Sequence, residues 1–208
     1  MALMAKEARR RVGRPTHRRP KVAVPPGLDR REQIVAVAGS LFAEKGYNRT
    51  SMRDIAEAAG LLSGSLYYYF SSKEELFLEV HGTGMKILTQ ATRSALEQGG
   101  DPWTRLGHLA AAHCRAVLEN QGFMIMVFPE FPEEINEYHA EFVRQRDEYE
   151  RIVSDTIGAL DLPPDLDRGL YKLQFLGALN WSQTWYRAGG RFTPEDIGHH
   201  FVRMLRPR

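Results

Sequence analysis

The 208 residues contain one cysteine, Cys114. That excludes an intramolecular disulfide framework and suits a reducing compartment, so a cytoplasmic protein is expected. No stretch approaches the roughly 18 apolar residues of a membrane span. The basic N-terminus is not followed by the apolar core of a secretory signal, and no membrane partner is expected. Alternating β-branched runs are also missing, while Ala, Leu, Glu, Arg and Gln abound. The expected fold class is therefore all-α.

Catalytic spacings are lacking as well. Neither HExxH nor CxxC occurs, and no phosphate-binding glycine loop is present. His81, His108, His113, His139, His199 and His200 invite a metal, but His108 and His113 are five apart and do not share a helix face. Glu137, His139 and Glu141 alternate in twos, a strand spacing inside an expected helix. No enzyme, metal or cofactor is expected.

Large apolar side chains are nearly absent from residues 1–27, which are rich in Arg and Pro. Such a segment buries too little to offset ordering entropy and reads as a disordered basic arm. Up to Lys21 it carries eight basic residues against Glu7 alone, which leaves the rest of the chain net acidic. A basic end on an acidic body points to a polyanionic partner for that end. Gly13-Arg14-Pro15, flanked by Arg11, is either a minor-groove element of the AT-hook kind or a solvated tail that adds non-specific affinity.

The informative stretch is Thr50 to Phe70. Ile34, Val37, Ala38, Leu41 and Phe42 first mark one face of an amphipathic helix, stopped by Gly46. Ser51 and Asp54 have capping-box spacing and start a second helix, which Gly60 ends. In a third helix Leu66, Tyr69 and Phe70 share a face, leaving Tyr67 and Tyr68 outward with Ser63, Gly64 and Ser65 at its start. This is a helix-turn-helix, whose second helix enters the major groove. The expected DNA-contact residues are Thr50, Ser51, Arg53, Ser63, Gly64, Ser65, Tyr67, Tyr68, Tyr69 and Lys73, with Arg11 and Arg14 from the arm.

The run from Ile34 to Val80 resembles the DNA-binding domain of TetR-type transcription regulators. The matching phrases are Thr50-Ser51-Met52-Arg53-Asp54-Ile55-Ala56, Gly64-Ser65-Leu66-Tyr67, Tyr69-Phe70 and Ser72-Lys73-Glu74-Glu75-Leu76. The resemblance implies a homodimer on a palindromic operator, with a small-molecule effector in a C-terminal cavity and repression relieved by that effector. Arg53 and Lys73 match positions that touch the phosphate backbone. This chain departs from the pattern at Leu62, where the family often carries a capping Ser or Thr, so the cap is expected to shift to Ser63. It departs again at Tyr68, where His is common.

Three parts are expected: the arm over 1–27, a helix-turn-helix domain over 28–73, and a ligand-binding and dimerisation domain over 74–208. In the last, a helix from Glu74 to Gln98 contains Gly82 and Gly84, which mark either close packing or a bend. Asp101-Pro102 starts the next helix. Phe123, Met124, Val127 and Phe128 form an apolar stretch suited to lining a ligand site. A helix from Pro132 to Leu160 carries Phe142, Arg146 and Tyr149 on one stripe. An inward Arg146 would need a structural carboxylate or an anionic ligand. Leu88, Cys114, Phe175 and Trp181 complete the expected ligand residues. A helix from Leu166 to Arg187 is apolar on two sides, and with the last helix it is expected to pair across a two-fold through Leu173, Leu176, Leu179, Trp185, Phe201 and Leu205. The phrases Asn180-Trp181, Trp185-Tyr186-Arg187 and Gly189-Gly190 are similar to a branch of the family that governs lipid, steroid or branched-chain acid breakdown and answers to acyl-CoA thioesters. The alternative effector is a cationic drug, as in multidrug-sensing repressors of efflux pumps.

Overall fold

A computed structural model describes residues 27–120 and 137–206. Among them are eight α-helices and no strand: α1 (Arg30–Lys45), α2 (Met52–Ala58), α3 (Ser63–Tyr69), α4 (Lys73–Leu96), α5 (Pro102–Glu119), α6 (His139–Gly158), α7 (Arg168–Trp181) and α8 (Pro194–Leu205). The all-α expectation holds.

Most of these helices start on a side chain that accepts a free backbone N–H. Asp29 and Glu32 form a capping box for α1, Ser51 and Asp54 one for α2, and Thr193 and Asp196 one for α8. Ser72, Asp101 and Asp167 cap α4, α5 and α7. Such a cap contributes about 1 kcal/mol. Helix α1 stops at Gly46, whose φ of 82° a residue with a Cβ adopts only with strain. The expected cap at Ser63 is not there. Leu62 occupies the N-cap position of α3 with ψ 145° and makes no side-chain cap bond, while Ser63 is already helical. Backbone geometry, not the nearest hydroxyl, sets that boundary.

Two apolar clusters organise the chain. The first joins α1, α2, α3 and the start of α4 through Ile34, Phe42, Ile55, Leu66, Phe70 and Phe77. The second joins the rest of α4 to α5, α6, α7 and α8 through Leu88, Leu109, Tyr149, Val153, Phe175 and Val202. Helix α4 belongs to both. So does α6, because Phe142 near its start packs in the first cluster while Tyr149, Val153 and Ile157 lie in the second.

Gly82 reflects close packing: a Cβ there would lie 2.9 Å from Nε2 of Gln145 on α6. Gly198 is more confined, since a Cβ would meet the backbone of Ala110 and Ala111 at 2.5 Å, and α8 therefore crosses directly on α5.

Helix α7 ends at Trp181, followed by a 3-10 turn over Ser182–Thr184, so the expected single helix to Arg187 is shorter. Its inner face is Tyr171, Phe175 and Leu179. Leu179, expected at the dimer face, is 1% exposed and belongs to its own subunit's core.

Candidate nucleic-acid interface

Helix α3 is set by what it buries. Leu66 is wholly enclosed in the first cluster, and Phe70 just beyond the helix anchors the next turn. Tyr69 is half-buried against that core. The opposite face is therefore free, with Tyr67 55% and Tyr68 86% exposed and Ser63, Gly64 and Ser65 exposed ahead of them. The structure thus brings these five expected residues together on the exposed side of α3. Small residues there allow backbone approach to a groove, and tyrosine hydroxyls can donate to phosphate oxygens.

The remaining expected contacts divide. Arg53 and Ser51 are exposed, and Ser51 is engaged in its capping box, its hydroxyl 2.6 Å from Oδ2 of Asp54. Lys73 is half-buried. Its ammonium sits 3.9 Å over the Tyr47 ring and donates to the Tyr47 carbonyl at 3.3 Å, so its charge is presented from a fixed position. Thr50 is a correction: it is 1% exposed and its hydroxyl donates to the Gly46 carbonyl at 2.9 Å. It fastens the turn ahead of α2 and does not face a partner. Arg11 and Arg14 lie outside the described residues.

Sequence reasoning missed the residues that hold this unit together. Arg30 donates to the Ala59 carbonyl at 2.9 Å and seats the end of α2 on α1. Arg31 pairs with Glu79 of α4 at 2.9 Å and stacks 4.5 Å from the Phe70 ring centroid. Both precede the apolar stripe of α1, where basic residues look like solvated flanks.

In the second cluster, the expected ligand residues Leu88, Cys114, Tyr149 and Phe175 are all buried. Tyr149 is held by His113: its hydroxyl donates to Nδ1 at 2.6 Å, while Nε2–H of the imidazole donates to Oδ1 of Asn180 at 3.0 Å. Burial lowers the His113 pKa to about 4 against the opposing Asn180 bond, so the ring is neutral. Burial likewise pushes the Cys114 thiol up to about 12, leaving no reactive thiolate.

Phe142 does not join that cluster. It lies in the first one, its ring centroid 5.8 Å from Phe77 and 4.8 Å from His81. Arg146 is exposed and not inward: it pairs with Glu150 one turn on at 2.9 Å, and Lys172 meets the same carboxylate at 2.9 Å. Trp181, expected to line a cavity, is 64% exposed. Phe123, Met124, Val127 and Phe128 lie outside the described residues.

A groove of about 650 Å³ runs between the end of α7, the loop after it and α8. Its walls include Trp185, Phe192, Phe201 and Met204, with Arg191 and Arg203 as cations and Asp196 as the one carboxylate among its lining residues. Trp185 and Phe201 were expected to meet a partner subunit. Among the described residues no cluster of three or more His, Cys, Asp or Glu could hold a metal, and no helix is long and apolar enough to cross a membrane.

Comparison with known proteins agrees with this arrangement. The family described as "Bacterial regulatory proteins, tetR family" matches residues 34–80, and "Tetracyclin repressor-like, C-terminal domain" matches residues 99–207. The HTH-type transcriptional repressor KstR2 of Mycobacterium tuberculosis is 29% identical over 182 residues, covering 85% of this chain and 90% of that protein. The solved structure of the ketosteroid transcriptional regulator KstR2 of that organism has a TM-score of 0.70 at 27% identity, covering 88% of this chain and 96% of the other. The structure of AibR in complex with isovaleryl coenzyme A and operator DNA shares the fold, with a TM-score of 0.72 at 23% identity, covering 85% and 97%. The chain belongs to the TetR family of bacterial regulatory proteins, which are DNA-binding transcriptional regulators and not enzymes.

Proposed function

We propose that the chain is a homodimeric repressor that grips a palindromic operator with two α3 helices and is released by an anionic, acyl-CoA-like effector. One observation carries this reading. The exposed large apolar side chains of the described residues fall in two places only: Leu62, Tyr67 and Tyr68 around α3, and Leu170, Leu173, Trp181, Trp185, Phe192 and Met204 on α7, α8 and their connection. Exposed apolar patches of this kind mark interaction surfaces. The first suits DNA, through Ser63, Gly64, Ser65, Tyr67 and Tyr68 with Arg53 and Lys73 toward phosphates. The second divides: the outer face of α7, with Leu170, Leu173 and Trp181 and with Leu176 at its edge, suits a copy of itself, while Trp185, Phe192, Phe201 and Met204 line the groove. Two-fold pairing would set the two α3 helices about one DNA turn apart.

The effector class is supported by the groove, whose apolar walls and two guanidinium groups suit an acyl chain joined to phosphates. A cationic drug would meet those same arginines unfavourably. The solved AibR complex with isovaleryl coenzyme A is a relative in fold with a ligand of that class. The division into a basic arm over 1–27, a DNA-binding part over 28–73 and an effector and dimer part over 74–208 belongs to the same proposal.

The test is a gel-shift assay with a duplex obtained by in vitro selection, challenged with short-chain acyl-CoA esters and with cationic dyes. Release by the thioesters alone is expected. Release by the dyes alone would overturn the effector class.

A further inference from the structure

We propose that Leu62 is a specificity-determining residue of the DNA reader, packing its side chain on the 5-methyl group of a thymine in the major groove. The inference rests on α3 being the helix that enters that groove.

Leu62 stands at the N-cap position of α3, where it makes no capping bond, whereas α1, α2, α4, α5, α7 and α8 each begin on a capping side chain. It does not serve the core either, being 81% exposed. That task falls to its neighbour Leu61, which is half-buried against the first apolar cluster. A large aliphatic side chain therefore occupies a position where a small polar one would stabilise the helix and where it gains nothing from burial.

The residues just after Leu62 leave it uncovered. Ser63, Gly64 and Ser65 are small and exposed, so the start of α3 can come close to a groove floor with Leu62 at its leading edge. Tyr67 and Tyr68, in the last turn of the same short helix, are exposed as well, while the other exposed large apolar side chains among the described residues belong to α7, α8 and their connection. A leucine side chain cannot donate or accept a hydrogen bond. In the major groove the one apolar group that a standard base presents is the thymine methyl. The chemistry thus selects the contact: Leu62 favours thymine at one position of each half-site.

The experiment uses the full chain and a duplex enriched from a random library. Each thymine of the selected site is replaced in turn by deoxyuridine, which removes only the methyl group. Wild-type protein should bind about fourfold more weakly when one particular thymine per half-site is replaced, the effect of losing one buried methyl. Leu62→Ala should bind the thymine and uracil duplexes equally. Leu62→Ser, which restores a capping hydroxyl, should be equally indifferent while melting no lower than wild type, which separates lost reading from lost folding. A methyl effect that persists in Leu62→Ala, or no methyl effect in wild type, would overturn the assignment. Failure to enrich any duplex would overturn the DNA reading and this contact with it.

Discussion

The Tyr149 hydroxyl and Nδ1 of His113 lie 2.6 Å apart inside the second cluster, and Oδ1 of Asn180 accepts from the other ring nitrogen, Nε2, at 3.0 Å. One histidine thereby ties α5 to α6 and α7, and in its neutral form the Nδ1 lone pair accepts the tyrosine hydroxyl. Its pKa is lowered to about 4 by burial, against about 6.5 in an unfolded chain. The unfolded state therefore binds a proton that the folded state refuses throughout that interval. Stability should be full above pH 6.5, fall as pH drops towards 4, and level off below, with a total near 3 kcal/mol. Urea titrations between pH 5.0 and 6.5 check this above most carboxylate titrations. His81, whose pKa burial also lowers, adds in the same direction. His113→Gln should therefore flatten the slope without abolishing it, and an unchanged slope would contradict the assignment.

Phe142 couples the two clusters from a helix that otherwise belongs to the second. Beside it, Nδ1 of His81 lies 2.6 Å from Oε1 of Gln145, so α4 and α6 are joined by an apolar contact and a hydrogen bond within one turn. Phe142→Ala should cost about 3–5 kcal/mol, concentrated in the first cluster. Calorimetry should show one cooperative transition for wild type and two for the variant, with the DNA-reading part melting first. A single transition lowered as a whole would mean that α4 alone transmits the cooperativity.

Local features were the ones plain in the sequence. A capping box joins residues three apart, and Ser51 with Asp54 could be matched to a helix start without knowing any neighbour. Face assignment in α3 succeeded for the same reason, since Leu66 repeats the apolar side of its own helix. Errors arose where a distant element decided the outcome. Periodicity placed Arg146 on a stripe with Phe142 and Tyr149, but it could not show that the stripe divides between two clusters and leaves the arginine outside. Thr50 looked like a DNA-contact residue because its hydroxyl's partner, the Gly46 carbonyl, is visible only once the turn is folded. His113 and Asn180 are 67 residues apart, a separation that no local pattern spans.

Gly198 offers a test of the crossing between α5 and α8. In an exposed helix, Gly→Ala stabilises by about 1 kcal/mol through propensity. Here the added carbon would sit 2.5 Å from the backbone of Ala110 and Ala111, which cannot move aside like a side chain. Gly198→Ala should therefore destabilise by about 1–3 kcal/mol despite its better propensity. Thermal melting resolves the sign. A higher melting temperature would show that α8 can shift on α5.

The outer stripe of α7 makes the assembly testable. Leu170, Leu173, Gly177 and Trp181 follow one another at spacings of three, four and four, and all four are exposed. A Cβ at Gly177 would meet nothing within 4 Å, so its own subunit gives no reason for glycine there. A second helix lying across the stripe would, because the missing side chain lets the two backbones approach. Leu173 is 62% exposed, so Leu173→Asp removes little from the subunit's own core. Two-fold symmetry would bring two such carboxylates into one apolar contact, and the dimer should weaken by at least about 3 kcal/mol. Sedimentation equilibrium should then report monomers with unchanged far-UV circular dichroism, and binding to a full palindromic duplex should fall to the level of a half-site. Gly177→Ala separates the two roles more finely. It should raise the melting temperature of the monomeric Leu173→Asp background through helix propensity while weakening dimers in the wild-type background. If both dimers persist, α7 does not lie at the two-fold and the apolar stripe serves another partner.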